Sequence, residues 1–245
     1  MKNIIIILIL TISPILAQCD WNEDNQVDVL DVVATVDCIL SDCWSVEPCV
    51  DIDGNTYETV QIGDQLWMAE NLKVTHYRNG DDIASEGLGT GAYSVFNNAL
   101  ENLDVYGNLY NWYAVDDIRG LAPDGWHIPS NDEWNVLANF IGENPGGVLK
   151  AVGTIEAGDG LWYQPNSGAI DLYGFSGLPG GYDLFGWGGS FTGLGSYGYF
   201  WTSESGTSNS AWRRLLSHDN SSLSILGGNM ATGFSVRCIK DQAEQ

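Results

Sequence analysis

Basic side chains are the scarcest class in this chain. Its 245 residues hold 9 Lys and Arg against 32 Asp and Glu, a formal net charge of −23. A polyanion meets that field as repulsion, which excludes nucleic acid and anionic membrane surfaces as partners. A divalent cation such as calcium is favoured by the same field. Only 17% of the residues are charged, so the acidity comes from missing Lys and Arg and not from an acidic tail. Histidine is equally sparse. His76, His127 and His218 stand far apart, each read as a surface or packing residue, and no Cys or His spacing suits a zinc site.

Long apolar runs are absent too, except at the start. Ile4 to Ile12 is almost wholly apolar behind Lys2, and Ser13-Pro14 breaks the run before Ile15-Leu16-Ala17. That layout predicts a secretory signal peptide over residues 1–17 with Ala17 at the cleavage position. A membrane span needs about 20 apolar residues, more than this run supplies. Gln18 precedes Cys19 where lipid attachment needs Gly, Ala or Ser, so no membrane anchor is expected. The expected location is secreted: periplasmic, cell-surface or extracellular. In that setting Cys19, Cys38, Cys43, Cys49 and Cys238 read first as disulfides, and their odd number leaves one thiol over.

Behind the leader lies a calcium-type loop from Asp20 to Asp31. Asp20, Asn22, Asp24, Asp28 and Asp31 place oxygen side chains at the ligating positions, and Gln26 offers its backbone carbonyl. Asn25 takes the sharp-turn position, where glycine is usual, because Asn tolerates a left-handed backbone. Val33, Val36 and Leu40 then fall on one face of a short helix. The stretch DVLDVVATVDCIL resembles the second half of a dockerin repeat, and so does the Asp, in place of Glu, that closes the loop. That resemblance implies bound Ca2+ over residues 18–43 and a cohesin-like partner, although docking modules carry two repeats and this chain has one.

A linker over residues 44–50 leads to the main domain, residues 51–241. Asp53-Gly54-Asn55 is a turn, and alternation through Tyr57 to Ile62, a Gly63-Asp64 turn and Leu66-Trp67-Met68 predict a hairpin. Asn108 to Val115 suits either helix or strand. Ser130 and Glu133 form a capping box ahead of a Trp134, Leu137, Ala138, Ile141 stripe, which Gly142 ends. Beyond Gly142 the chain reads as loop-rich, with strands at Tyr199-Phe200-Trp201, at Trp212 to Leu216 and at Gly233 to Lys240. Its Gly-rich tract carries Tyr182, Phe185, Trp187, Phe191 and Tyr197, expected on loops as groups that stack on sugar rings or grip a protein surface.

Six motifs, DIDGNTYETVQIGDQLWMAENL, YGNLYNWYAV, PDGWHIPSNDEW, GFSGLPGGY, GYFWTSE and GFSVRCIKD, occur in the order seen in the Fibrobacter succinogenes major paralogous domain. The resemblance implies an α+β, C-type-lectin-like fold, distantly similar to formylglycine-generating sulfatase modifiers, with paired ends and a long displayed loop region. Family members often carry Cys where Ala122 stands, so Cys238 lacks its usual partner. Because the first and last strands of such a fold lie together, Cys49 is the implied partner of Cys238.

Catalysis is not expected. The sulfatase modifiers hold a metal with a cysteine pair near the C-terminus, and Cys238 is alone there. No Gly-x-Ser-x-Gly elbow occurs, and nothing pairs Asp132, Glu133 or Glu204 across a cleft. Gln164-Pro165-Asn166 only partly matches a lectin calcium motif, and no Trp-Asn-Asp accompanies it. The expected function is an exported binding protein that recognises extracellular carbohydrate or a surface protein, with a calcium-stabilised N-terminal module. The alternative is a structural or adhesion component docked through the dockerin-like repeat.

Overall fold

The computed structural model describes residues 49–85, 87, 89–185 and 189–242, within a unit that begins at Pro48. The expected leader over residues 1–17, the Asp20–Asp31 loop and Trp187 lie outside the described residues. Among those described, no helix is long and apolar enough to cross a membrane.

Strand β1 (Cys49–Val50) pairs with β2 (Thr56–Tyr57) around the expected turn. Asp51 holds that turn, accepting from the Asp53 and Asn55 amides and from the Tyr57 hydroxyl at 2.5 Å. The predicted hairpin follows as β3 (Thr59–Ile62) and β4 (Gln65–Met68). Next come β5 (Tyr93–Ser94), α1 (Leu103–Tyr106), β6 (Leu109–Tyr110) and α2 (Trp112–Val115), so Asn108 to Val115 is strand and then helix. After β7 (Trp126–His127) comes α3 (Asn131–Ile141), where Ser130 and Glu133 form the capping box reciprocally and Gly142 ends the helix at φ 80°. Its apolar stripe buries Trp134 and Leu137.

The loop-rich expectation beyond Gly142 holds for residues 150–179 and is corrected from Gly180 onward. Helix α4 (Pro145–Leu149) is followed by β8 (Gly180–Leu184), β9 (Ser190–Leu194), β10 (Tyr197–Thr207), β11 (Ser210–Ser217) and β12 (Ser224–Asn229). Composition misleads here because several glycines serve close approach between strands and not turning. A Cβ on Gly181 would lie 2.5 Å from the Thr192 carbonyl oxygen, and one on Gly198 would lie 2.5 Å from that of Leu178. The expected last strand is also divided, into β13 (Thr232–Gly233) and β14 (Ile239–Lys240). Between them the chain laces the molecule together: Phe234 O accepts from Tyr110 N, Ser235 O from Trp201 N, Val236 O from Leu72 N and Cys238 O from Met68 N.

The result is α+β. One sheet has the order β3-β4-β14-β7, joining the first hairpin to the last strand, and a larger one runs β12-β11-β10-β8-β13 with β9 on β8. Strand β10 separates two cores, since successive side chains of a strand point to opposite faces. Tyr199 and Trp201 enter a cluster with Tyr110, Trp112 and Phe234. Phe200 enters another with Trp67, Trp134, Trp162 and Phe175.

Three cations, Lys150, Arg214 and Arg237, are buried without a carboxylate. Lys150 donates to the Ser217 and Asn220 carbonyls at 2.8 and 2.9 Å and lies 5.4 Å from the Trp162 ring centre; burial pushes it down to about 8. Arg237 donates to Asn71 Oδ1 and to the Phe175 and Ser176 carbonyls, and burial pushes it down to about 9. The expected Cys49–Cys238 disulfide is not seen in the structure, where both cysteines are buried and unbonded. They enter one core from different strand pairs, Cys49 from β1 opposite Tyr57 and Cys238 from the lacing segment. Burial pushes Cys49 up to about 12 and Cys238 well above the ordinary thiol value.

Candidate functional site

The large sheet gathers tyrosines at one place. Tyr182 on β8 and Tyr197 on β10 are half-buried, and they flank Tyr199 with ring centres 5.5 and 5.7 Å from it. Alternation along β10 puts Tyr197, Tyr199 and Trp201 on one face. Phe234 forms the floor, 4.9 Å from Tyr199 and 6.0 Å from Tyr182. Register brings in the cation: β11 places Arg213 opposite Trp201 and Leu215 opposite Tyr199. The Arg213 guanidinium stands 4.3 Å from the Tyr199 ring centre and 4.6 Å from that of Phe234, within cation–π range. Burial pushes the Tyr199 phenol up, Arg213 opposes that, and Tyr182 and Tyr197 add to it. Gly193 makes room, since a Cβ there would lie 3.1 Å from the Tyr197 ring and 3.5 Å from that of Tyr182.

A family model described as the Fibrobacter succinogenes major domain matches residues 60–240, from the first hairpin to the last strand. The chain belongs to this family. No curated protein and no solved structure matches it. The tyrosine cluster therefore lies within the Fibrobacter succinogenes major domain.

Of the five aromatics expected to bind ligand, this domain brings together Tyr182 and Tyr197, on strands and not on loops. Phe191 stands opposite Asp183 in the β8–β9 register, on the reverse face, with its ring 5.3 Å from Phe96. Phe185 is half-buried by Gly233, where a Cβ would lie 2.6 Å from its ring. Trp187 is outside the described residues, as are the calcium-loop residues Asp20, Asn22, Asp24, Gln26, Asp28 and Asp31. The sequence pattern did not single out Tyr199, Arg213 or Phe234 as binding groups. Parity with Tyr197 was a signal for Tyr199, whereas strand register alone recruits Arg213.

Two histidines of the domain are clamped between carboxylates. His76 meets Asp53 at 2.5 Å and Asp82 at 2.9 Å, one through each ring nitrogen. His127 meets Glu133 at 2.7 Å and Asp241 at 2.6 Å in the same way. Both are raised above the ordinary histidine value, His76 chiefly by its bond to Asp53 and His127 chiefly by its bond to Glu133. An imidazole with both nitrogens engaged has no free lone pair to take a substrate proton. His218 Nδ1 lies 2.8 Å from the Gln164 carbonyl oxygen. Asn166 is buried, its amide donating to the Ala151 and Gly153 carbonyls. Glu204 accepts from Asn131.

Two pockets lie elsewhere. One of about 350 Å³ is lined by Glu58, Glu70, Lys73 and Asp104, and one of about 130 Å³ by His76, Arg78 and Asp124. Their cations are already paired, Lys73 with Glu70 and Arg78 with Asp124. No group of three or more His, Cys, Asp or Glu among the described residues is placed to hold a metal.

Proposed function

We propose that this chain is an exported, non-catalytic binding protein that recognises extracellular carbohydrate through the face carrying Tyr182, Tyr197 and Tyr199. The observation that carries this reading is the pair of half-buried tyrosines flanking a buried third. A pyranose ring has an apolar face of C–H groups and an edge of hydroxyls. Tyrosine matches both, with an apolar ring and a polar tip. Rings mounted on paired strands are held in place before the ligand arrives, so binding them costs little ordering entropy. The clamped His76 and His127 support a binder over a catalyst, because neither is free to act as a base. The Asp20–Asp31 loop offers oxygen donors alone, the set a hard cation takes. Ca2+ on Asp20, Asn22, Asp24, the Gln26 carbonyl, Asp28 and Asp31 serves in this reading to order the N-terminal module.

The test is retention of the full chain on a panel of plant and algal polysaccharides. The expected result is retention on at least one polymer, weakened about tenfold or more by Tyr197→Ala while the melting curve stays cooperative. Absence of retention on every polymer would overturn the reading in favour of a protein partner. Turnover of a bound polymer would overturn its non-catalytic part.

A further inference from the structure

We propose that the tyrosine cluster takes an acidic saccharide, a sugar ring bearing a carboxylate or sulfate, with the anion seated on Arg213. The inference rests on the carbohydrate reading above and names the ligand class.

Among the described Lys and Arg, only Arg213 and the exposed Lys240 are neither paired with a carboxylate nor buried, and of these two Arg213 is the one set among aromatic rings. Lys73, Arg78 and Arg119 pair with carboxylates. Lys150, Arg214 and Arg237 are buried and donate to neutral oxygens. Arg213 is half-buried, and its Nε reaches the Gly227 carbonyl only at 3.4 Å. It forms no ion pair among the described residues; beside that carbonyl it bonds to the phenol of Tyr199, the ring it stacks on.

A chain with 32 acidic and 9 basic residues would by chance set a carboxylate beside such a group. Among the described residues, its neighbours on that sheet face carry none: they are Tyr182, Thr192, Tyr197, Leu215, Ser224 and Leu226. Asp183, next to Tyr182, is on the reverse face, buried and bonded to the Ser94 hydroxyl at 2.7 Å. Arg213 is thus a cation without a carboxylate neighbour among the described positions of this sheet face, in a chain of net charge −23. Distant carboxylates are screened over about 8 Å at physiological ionic strength, so an anion on Arg213 meets mainly the guanidinium. Stacking on Tyr199 and Phe234 holds that group, and its planar fork matches a carboxylate or sulfate through two parallel hydrogen bonds. Tyr182 and Tyr197 remain for the ring and its hydroxyls.

The test is calorimetric titration of the full chain with a galacturonate oligosaccharide, its methyl ester, a sulfated galactan oligosaccharide, a neutral galactan oligosaccharide and poly-glutamate. At least one acidic saccharide should bind about tenfold or more tighter than the uncharged ones, and whichever arm binds identifies the anion. Arg213→Gln should abolish the preference for charge, and Arg213→Lys should keep part of it. The comparison of acid with methyl ester leaves the protein unaltered, so it decides the matter even if a variant folds poorly. Equal affinity for each acidic saccharide and its uncharged counterpart, or for poly-glutamate and the acidic saccharide, would overturn the inference. Carbohydrate binding itself would survive the first result if neutral sugars bind and Tyr197→Ala weakens them. Binding of no saccharide at all would overturn both readings.

Discussion

The two sides of strand β10 use one set of backbone bonds for different ends. On the closed side, Phe200 lies 5.8 Å from Trp134 and 6.2 Å from Phe175, and the adjoining Arg214 donates to the Asn131 carbonyl and to Asn135 on α3. On the other side, Phe234 covers Trp201 at 4.6 Å and Tyr199 at 4.9 Å, while Tyr182 and Tyr197 stay half-buried. Adjacent arginines make the contrast sharpest, because Arg214 is buried against a helix and Arg213 lies across rings at the surface. A sheet backed by a helix is rigid enough to present side chains on its far face. Stability should therefore concentrate on one side of β10 and binding on the other.

The largest effect should separate Phe200 from Tyr197. Phe200→Ala opens a cavity in a packed core and should cost about 3–5 kcal/mol in urea unfolding. Tyr197→Ala removes a half-buried ring and should cost about 1 kcal/mol, with its main effect on ligand retention. Equal losses of stability would break the comparison. Next in size are the arginines. Arg214→Gln removes a buried guanidinium and its bonds to the Asn131 carbonyl and the Asn135 side chain, worth about 1–3 kcal/mol. Arg213→Gln should lower stability by under about 1 kcal/mol, since it gives up an exposed-site cation–π contact.

The smallest effect is a pH dependence on the closed side. His127 ties Glu133, at the start of α3, to Asp241 beyond β14. Its folded pKa is raised above the ordinary 6.5, so its contribution is complete below 6.5 and is lost as pH rises through the raised value. For Glu133, burial works to raise the pKa, but bonds from His127 and Ser130 outweigh it and hold the group at about 2 against an ordinary 4.5. That contribution is present above 4.5 and is lost as pH falls toward 2. The clip is therefore strongest between about 4.5 and 6.5. The His127 side chain is 38% exposed, and screening keeps the gain under about 1 kcal/mol. Melting temperatures of wild type and His127→Gln, measured across pH, should differ most in that window. A difference that persists unchanged well above it would show that His127 acts through packing and not through its charge.

Local features were legible in the residue order. The Ser130–Glu133 capping box, the Trp134 and Leu137 stripe and the β3–β4 hairpin depend on neighbours a few residues apart, so spacing alone reveals them. The Gly-rich tract misled because glycine suits both a turn and a close approach, and Gly181 and Gly198 are recognised as the second only once Thr192 and Leu178 lie against them. Half of the aromatic site was visible for the same reason: Tyr182 and Tyr197 stand in the suspect tract, whereas Phe191 lies on the reverse face of β9 and Phe185 just beyond β8.

The amino-acid order by itself determined family membership over residues 60–240, the excess of acid and the capped helix, because each is written in residues close together or in simple counts. Tertiary structure alone decided that Arg213, Tyr182 and Phe234 meet, that Cys49 and Cys238 share a core as thiols, and that His127 bridges to Asp241. Those contacts join parts of the chain far apart in sequence, and strand register selects them. A shift of one residue in that register would turn Arg213 to the helix side and Arg214 to the tyrosines.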